Sequence, residues 1–359
     1  MQTNQNKSLL FTKLAFEQAK INLGSTGTNP SVGCVVEKNG SVISSGFTSL
    51  NGRPHAEYNA LNKNLNFKRS NIFISLEPCS HFGKTKPCTN IIKKKGIKKV
   101  SFSIFDIDKR SKKLAKKVLR KKNIIVKSGL LSKYAKIFYK DYFLGRKKKF
   151  PLIDAKIAVS KDYYTKNKKN DNITNIHSIK RVHLLRSKYN CIISTSKTIN
   201  EDNSKLDCRI QGITNKSPDL VIIDRNFKLK KKIDFLKIKN RKVIIFTSKK
   251  DKSKELYFKK KNVKVTFLKK MSSNEDYTKI FKILNKYGYS RIFVETGLVF
   301  LNFLISNKFL NNLYIFKTNI SLGSKGFNYG SSKFLKKIKL KKKINVNLFN
   351  NSLYKIDLK

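Results

Sequence analysis

No tryptophan occurs in this chain, and cysteine, methionine, proline and acidic residues are all sparse. Each shortage narrows the choices. Without tryptophan, bulky core material has to come from the 25 phenylalanines and 14 tyrosines. Five cysteines, an odd number spread over 359 residues, do not make a disulfide framework. A reducing cytoplasm is the simplest setting for them. No uninterrupted apolar run approaches the roughly 18 residues of a membrane span. The opening MQTNQNKSLLFTKLAF is too polar, and its apolar stretch too short, for a secretory signal. No internal repeat is visible.

The shortage of acid leaves 22 Asp and Glu against 80 Lys and Arg, a formal net charge of +58. A nucleic-acid groove is one reading, because clustered lysines neutralise phosphates and release counterions. Compositional bias is the other. Lysine runs such as Lys93-Lys94-Lys95, Lys147-Lys148-Lys149 and Lys341-Lys342-Lys343 lie on surface helices and turns, arginine is scarce, and no basic run is interleaved with stacking aromatics. We read the charge as solvated faces, with no nucleic acid and no membrane as partner. It still draws anionic substrates toward any cleft.

What is present is an alternating α/β pattern long enough for two cores. Residues 8–22 have helical spacing and stop at Gly24. Val32–Val36, the turn Lys38-Asn39-Gly40 and Ser41–Ile43 predict a hairpin. A helix opens at His55 after Pro54, residues 71–76 read as a buried strand, and a helix starts near Cys88. A strand at 99–105, a helix at 111–122 and a strand at 124–127 complete a partly parallel sheet covered by helices. Residues 141–150 read as a polar break before Pro151, which puts a domain boundary near 146–150. Beyond it, strands are expected at 152–159, 191–194, 220–224, 242–247, 263–268, 291–295, 313–317 and 344–349, with helices at 177–188, 276–287 and 299–307.

The strongest chemical signal is Pro54-His55-Ala56-Glu57, then Glu77-Pro78-Cys79, then Cys88. One imidazole and two thiolates are three good zinc ligands, and three leave a fourth position for water, as catalytic zinc requires. Zinc brings the pKa of that water to roughly 7. Glu57, two residues from a ligand, can stay near the metal without binding it and move the proton to the ring nitrogen and leaving amine. Cys79 directly after Pro78 is read as a helix start, which favours thiolate. This is the H-x-E and P-C signature of zinc deaminases. Eight residues, Ser80 to Pro87, separate the cysteines where nucleobase deaminases have two. A nucleic-acid-acting deaminase and a zinc-stapled interaction domain with His81 as fourth ligand are the competing readings.

Asn29-Pro30-Ser31-Val32-Gly33-Cys34, His55-Ala56-Glu57 and the long loop Pro78-Cys79-Ser80-His81-Phe82-Gly83-Lys84-Thr85-Lys86-Pro87-Cys88 together resemble the bifunctional riboflavin-biosynthesis deaminase/reductase family, over essentially the whole chain. The resemblance implies a cytidine-deaminase-like three-layer domain over 1–147 and a dihydrofolate-reductase-like α/β domain over 148–359. It implies zinc on His55, Cys79 and Cys88, Glu57 as proton shuttle, and Asn29, His81 and Lys84 on the substrate. The implied chemistry is hydrolytic loss of the 2-amino group of 2,5-diamino-6-(5-phosphoribosylamino)pyrimidin-4-one, then NADPH-dependent reduction of the ribosyl group to ribityl. A homo-oligomer, dimer or tetramer, assembled through the second domain is implied as well.

In that second domain Lys156, Ser160, Asp162, Ile173-Thr174, Leu184-Leu185-Arg186, Thr198, Asp202, Arg209, Asp224 and Glu295-Thr296-Gly297 match the family pattern. The resemblance assigns Asn170, Arg186, Leu206, Arg209 and Glu295 to substrate, and Val159, Asn172, Thr198, Asp202, Arg225 and Gly297 to NADPH. Arg186 and Arg209 as a pair suit a phosphate by their fork geometry. There are departures. Tyr163 stands where the family has glycine, Asn172 where it has tryptophan, Leu298-Val299 follow Gly297 in place of Pro-Thr, Asn203-Ser204 follow Asp202 in place of Asp-Pro, and Asp106-Ile107-Asp108-Lys109 replaces D-P-N-P. A chain that only deaminates, its reductase domain weakened, is the alternative these departures raise.

Overall fold

Asn39 and Gly40 both take positive φ, 53° and 84°, the pairing that a tight two-residue turn requires. Strand β1 (Gly33–Lys38) therefore folds back antiparallel on β2 (Ser41–Phe47). The computed structural model describes residues 2–169, 172–238, 240–340 and 343–359. It divides into two compact units, Met1–Phe150 and Pro151–Lys359.

Unit 1 continues with β3 (Asn71–Ile74), β4 (Lys99–Phe102) and β5 (Ile125–Ser128), in the sheet order β2-β1-β3-β4-β5. The pairs β3–β4 and β4–β5 are parallel. Helices α1 (Gln2–Lys20), α2 (Ala56–Leu61), α3 (Cys88–Lys94), α4 (Leu114–Arg120), α5 (Ser132–Phe138) and α6 (Lys140–Lys148) surround it. Two glycines show how the layers form. A Cβ on Gly33 would fall 1.8 Å from the Ala15 carbonyl of α1, and one on Gly46 would fall 2.5 Å from backbone atoms of Ala56 and Ala60 in α2. Gly46 pairs with Cys34, one residue on from Gly33, so the two glycines look to opposite faces of the sheet. Side chains follow the same alternation: Val35 and Phe73 pack with Phe11 and Ala15 of α1, whereas Cys34, Val36, Ile72 and Ile74 pack with Ala56 and Ala60 of α2. The result is the expected three-layer sandwich, with α2 pressed tightly onto the sheet.

Among the described residues, unit 2 contains an eight-stranded sheet in the order β11-β10-β9-β8-β12-β6-β13-β15. Its strands are β6 (Leu152–Val159), β8 (Cys191–Thr195), β9 (Asp219–Ile223), β10 (Val243–Thr247), β11 (Val263–Phe267), β12 (Arg291–Glu295), β13 (Asn312–Thr318) and β15 (Asn351–Asp357). All neighbours are parallel except β13–β15. Short strands β7 (Lys166–Asn167) and β14 (Gly326–Phe327) pair separately. Helices α7 (Ile176–Arg186), α8 (Ser196–Asp202), α9 (Lys252–Lys260), α10 (Asn274–Lys286), α11 (Leu298–Ser306) and α12 (Lys333–Lys337) connect the strands. Long apolar strands such as Leu220–Ile223 and Val243–Phe246 are buried throughout, as parallel strands covered by helices require.

Two sequence expectations are corrected. Residues 141–150 are largely helical, not a polar break. Tyr142 is buried with its hydroxyl donating to Asp106 at 2.9 Å, and Arg146, Lys147 and Lys148 occupy the last turn of α6, where cations suit the carbonyl end of a helix. The last strand is β15, not 344–349. Ile344, Val346 and Leu348 do alternate toward the core, but as a covering segment; the backbone hydrogen bonds to β13 are made by Asn351–Asp357.

Candidate metal centre and second-unit site

His55 is the residue just before α2, so its ring projects from the start of that helix, while Glu57 in the first turn is buried at 4% exposure. Cys88 heads α3, and its backbone N–H donates to the Cys79 sulfur at 3.2 Å. Cys79 itself lies in an irregular segment, which corrects the expectation that it begins a helix. The helix expected near Cys88 does begin there. Glu77 pins this segment: its Oε2 accepts from the backbone N–H groups of Asp106 at 3.1 Å and Lys113 at 3.0 Å. The tips of β3 and β4 thereby hold the cysteine loop in place.

The ligand atoms of His55, Cys79 and Cys88 all lie within 4.8 Å of one another. Zinc bonds of roughly 2.0–2.1 Å to nitrogen and 2.3 Å to sulfur, at a tetrahedral angle, set N and S about 3.5 Å apart. His55 Nδ1 is 3.6 Å from Cys79 Sγ and 3.4 Å from Cys88 Sγ. The donor set fits the metal. The Cys88 thiol and, after it, His55 hold the Cys79 thiol well below its ordinary range against the effect of burial, while the same pairing and burial push Cys88 up. Burial, reinforced by Cys79, raises Glu57 to about 7. Its carboxyl hydrogen-bonds to the Cys88 thiol, beside the donor set.

Around this centre, His81 Nδ1 is 2.7 Å from the hydroxyl of Ser111, a fully buried residue that no motif singles out. Lys84 is exposed on the same loop, which Arg53 ties down through the Thr85 hydroxyl at 2.5 Å. Asn29 donates to the Gly52 carbonyl at 2.9 Å, so its amide nitrogen braces the turn that precedes His55.

In unit 2 the register of β6 and β12 sets Lys156 beside Glu295. Glu295 receives Arg186 through Nε at 2.6 Å and Nη2 at 3.0 Å, and Lys156 Nζ lies 3.7 Å away. Burial alone raises Glu295, but Arg186 and Lys156 outweigh it and bring the carboxyl down to about 2. The structure thus pairs Arg186 with Glu295, and its third nitrogen donates to the Asp207 carbonyl at 2.9 Å. Arg209 is the more exposed of the two arginines, at 57% of its side chain.

Val159 ends β6 and is buried, and Leu206 is buried at a positive φ of 53° with its carbonyl held by Arg241. Thr198 sits in the first turn of α8, its hydroxyl 3.1 Å from that of Thr195. Asp202 ends the same helix and takes Lys166 at 3.0 Å. Arg225 and Asn172 are exposed, and Asn170 lies outside the described residues. Gly297 has an ordinary φ of −73°, and an added Cβ would meet nothing within 4 Å. No local backbone need explains it; the space beside it is open. Tyr163 takes a left-handed conformation, φ 67°, of the kind that glycine adopts at least cost. Asp162 still caps the facing turn, accepting from the N–H groups of Leu322 and Gly323. That departure leaves the local backbone intact.

Comparison with known proteins adds an independent finding. The family model described as the cytidine and deoxycytidylate deaminase zinc-binding region matches residues 5–104, and that of the RibD C-terminal domain matches 151–348. The riboflavin biosynthesis protein RibD of Aquifex aeolicus is 30% identical over 309 residues, 85% of each chain. The protein of the same name from Buchnera aphidicola subsp. Baizongia pistaciae is 30% identical over 331 residues, 89% of this chain and 88% of that one. Among solved structures, a diaminohydroxyphosphoribosylaminopyrimidine deaminase/5-amino-6-(5-phosphoribosylamino)uracil reductase from Thermotoga maritima superposes with a TM-score of 0.83, at 27% identity and 99% coverage of both chains.

Proposed function

Since this chain belongs to the RibD family of bifunctional deaminase/reductases of riboflavin biosynthesis, we propose how its residues divide the two reactions. Residues 1–147 carry the deaminase and 148–359 the reductase. The convergence of His55, Cys79 and Cys88 beside the buried Glu57 is the observation that carries the first assignment.

The deaminase substrate is 2,5-diamino-6-(5-phosphoribosylamino)pyrimidin-4-one; water adds at the carbon bearing the 2-amino group, and ammonia leaves. His55 Nδ1 and the two cysteine sulfurs would hold zinc, which when bound would make water acidic enough to supply a nucleophile at neutral pH. Glu57 carries one water proton to the ring nitrogen as the C–O bond forms, then the remaining hydroxyl proton to the amine as the C–N bond breaks and the carbonyl is made. Its burial supports this, because a carboxyl shielded from water gives and takes protons near neutrality. Asn29, His81 and Lys84 orient the phosphoribosyl portion.

The reductase would take NADPH, which when bound would supply the hydride for converting the ribosyl group of 5-amino-6-(5-phosphoribosylamino)uracil to ribityl. The chain's part is placement. Glu295 and Leu206 line the substrate side, and Arg209 reaches the phosphate. Arg186 acts on the same side through its hold on Glu295 and Asp207. Val159, Thr198, Asp202, Arg225 and the open space at Gly297 line the cofactor side. Asn170 and Asn172 complete the substrate and cofactor assignments by family resemblance. We further propose a cytoplasmic homo-oligomer, in keeping with thiolate ligands that a reducing compartment keeps available.

One assay tests both halves. Purified chain given the diaminopyrimidine substrate and NADPH is expected to release ammonia and then lose nicotinamide absorbance, with one zinc per chain by metal analysis. Equal or faster deamination of single-stranded RNA would replace the substrate assignment. Ammonia release with no cofactor oxidation, on either NADPH or NADH, would remove the reductase assignment.

A further inference from the structure

Only four histidines occur in 359 residues, His55, His81, His177 and His183. The first two belong to the metal centre and its loop. His183 lies in unit 2 on α7, one turn before Arg186, and is buried at 6% exposure between two guanidinium groups. Arg186 Nη1 is 3.4 Å from its Nδ1, and Arg209 Nη2 is 3.3 Å from its Nε2. An imidazolium between two arginines is unfavourable, and burial together with those charges lowers the His183 pKa.

The hydrogen-bond partners assign the tautomer. Nδ1 is approached by one acceptor, the Asp207 carbonyl at 2.8 Å, and at longer range by two donors, the Arg209 backbone N–H at 3.2 Å and Arg186 Nη1 at 3.4 Å; the short contact decides, and Nδ1 carries the proton. An arginine nitrogen only donates, so Nε2 carries the lone pair that receives Arg209. The Asp207 carbonyl also accepts from Arg186 Nη1 at 2.9 Å. His183 and Arg186 together therefore fasten residues 207–209 to α7. The Arg209 guanidinium is approached at two points, by the Asp207 carboxylate in an ion pair 3.4 Å from Nε and by the His183 ring 3.3 Å from Nη2. Three of its five N–H groups, two on Nη1 and one on Nη2, are left for an oxyanion.

We propose that His183 is a positioning residue for reduction: its neutral ring holds the exposed Arg209 in the one orientation that presents a fork to the substrate phosphate. The idea rests on the assignment of Arg209 to that phosphate. A long exposed arginine has many rotamers, and a fixed acceptor behind it removes that freedom before substrate arrives. Arg186, committed to Glu295, does not share the task. His183 touches neither the sugar carbon nor the cofactor in this scheme, so its effect belongs in KM.

The test is a steady-state double-mutant cycle on the full-length chain with 5-amino-6-(5-phosphoribosylamino)uracil, repeated with the analogue lacking the phosphate. His183→Ala is expected to raise KM for the phosphorylated substrate about tenfold, with kcat and the cofactor KM within twofold. Arg209→Ala is expected to raise it at least as much, and the double variant no further. His183→Gln, whose carbonyl can reach the Nε2 position, should recover most of the loss, while His183→Asn, which reaches only the Nδ1 position, should not. The analogue lacking phosphate should not distinguish wild type from His183→Ala. If Arg209→Ala is damaging but His183→Ala is silent, or if the two effects multiply, or if His183→Gln is as poor as His183→Ala, the positioning role is wrong and the Arg209 assignment survives. If Arg209→Ala leaves KM unchanged, the phosphate assignment falls and the inference with it. Should His183→Ala not fold, the Gln against Asn contrast gives the same decision.

Discussion

Each unit buries a glutamate in its site, and the two are driven in opposite directions. Glu57 faces the thiols of Cys79 and Cys88 and rises to about 7; Glu295 faces Arg186 and Lys156 and falls to about 2. Burial pushes both upward, so burial is not what separates them. The neighbours decide. In unit 1 the protein supplies electron-rich sulfur donors that a metal fits, and the carboxyl beside them stays able to hold a proton. In unit 2 the protein supplies its own cations, and the carboxylate is locked as a permanent anion that organises them. One glutamate is built to change state, the other to stay charged.

The sharpest way to break this contrast is to remove the metal. Dialysis against a strong chelator is expected to abolish ammonia release, to restore it with added zinc, and to leave cofactor oxidation within about twofold. Parallel loss of both activities would mean that the two sites are not independent. Next in size, Glu57→Gln is expected to cut deamination by about 10²–10⁴-fold, the usual worth of a proton-transfer group, with zinc content unchanged. Undiminished turnover would rule out Glu57 as the shuttle.

For the other glutamate, Glu295→Gln strands the buried Arg186 and the half-buried Lys156. It is expected to destabilise unit 2 by about 3–5 kcal/mol, as breaking a buried ion pair does, and to depress reduction while deamination persists. Chemical denaturation followed on both activities checks this. The pH dependence has a defined sign. Because the folded carboxyl titrates near 2 and the unfolded one near 4.5, the stabilisation is complete above pH 4.5 and is lost as pH falls from there through 2. The Gln variant is expected to show a flatter stability profile over that window; an unchanged profile would contradict the ion-pair reading.

Smaller effects sharpen the comparison. Ser111→Ala removes the hydroxyl that meets His81 and is expected to cost about 1 kcal/mol in deaminase kcat/KM, roughly fivefold, with no change in reduction. Smallest in stability is Gly297→Ala, expected within about 0.5 kcal/mol of wild type by thermal unfolding, since a methyl there meets no protein atom. A raised cofactor KM in that variant would show that the open space belongs to the cofactor, whereas an unchanged KM would move the cofactor elsewhere.

The metal centre was legible because its ligands sit in short, ordered segments with chemistry that few other arrangements explain. Even there, the helix expected near Cys88 is found, but the second helix start invoked at Cys79 is not, since the eight residues between the cysteines carry no strong periodicity. Ser111 and Glu77 were not assigned, because each works through partners some thirty residues away along the chain. The same holds for His183. Its scarcity among four histidines was a usable signal, but its neighbours Asp207 and Arg209 come from a segment with no regular structure.

By itself, the sequence determined the alternation of strands and helices, the hairpin at Asn39-Gly40, the identity of three metal donors and the carboxyl beside them. These rest on local rules: side-chain period, turn conformation and ligand chemistry. Only the tertiary structure decided which charges meet. That Arg186 serves Glu295 while Arg209 faces outward, that α6 is a helix, and that β15 and not 344–349 closes the sheet all follow from contacts between distant segments. Packing and charge compensation act across space, and their partners cannot be read from spacing along the chain.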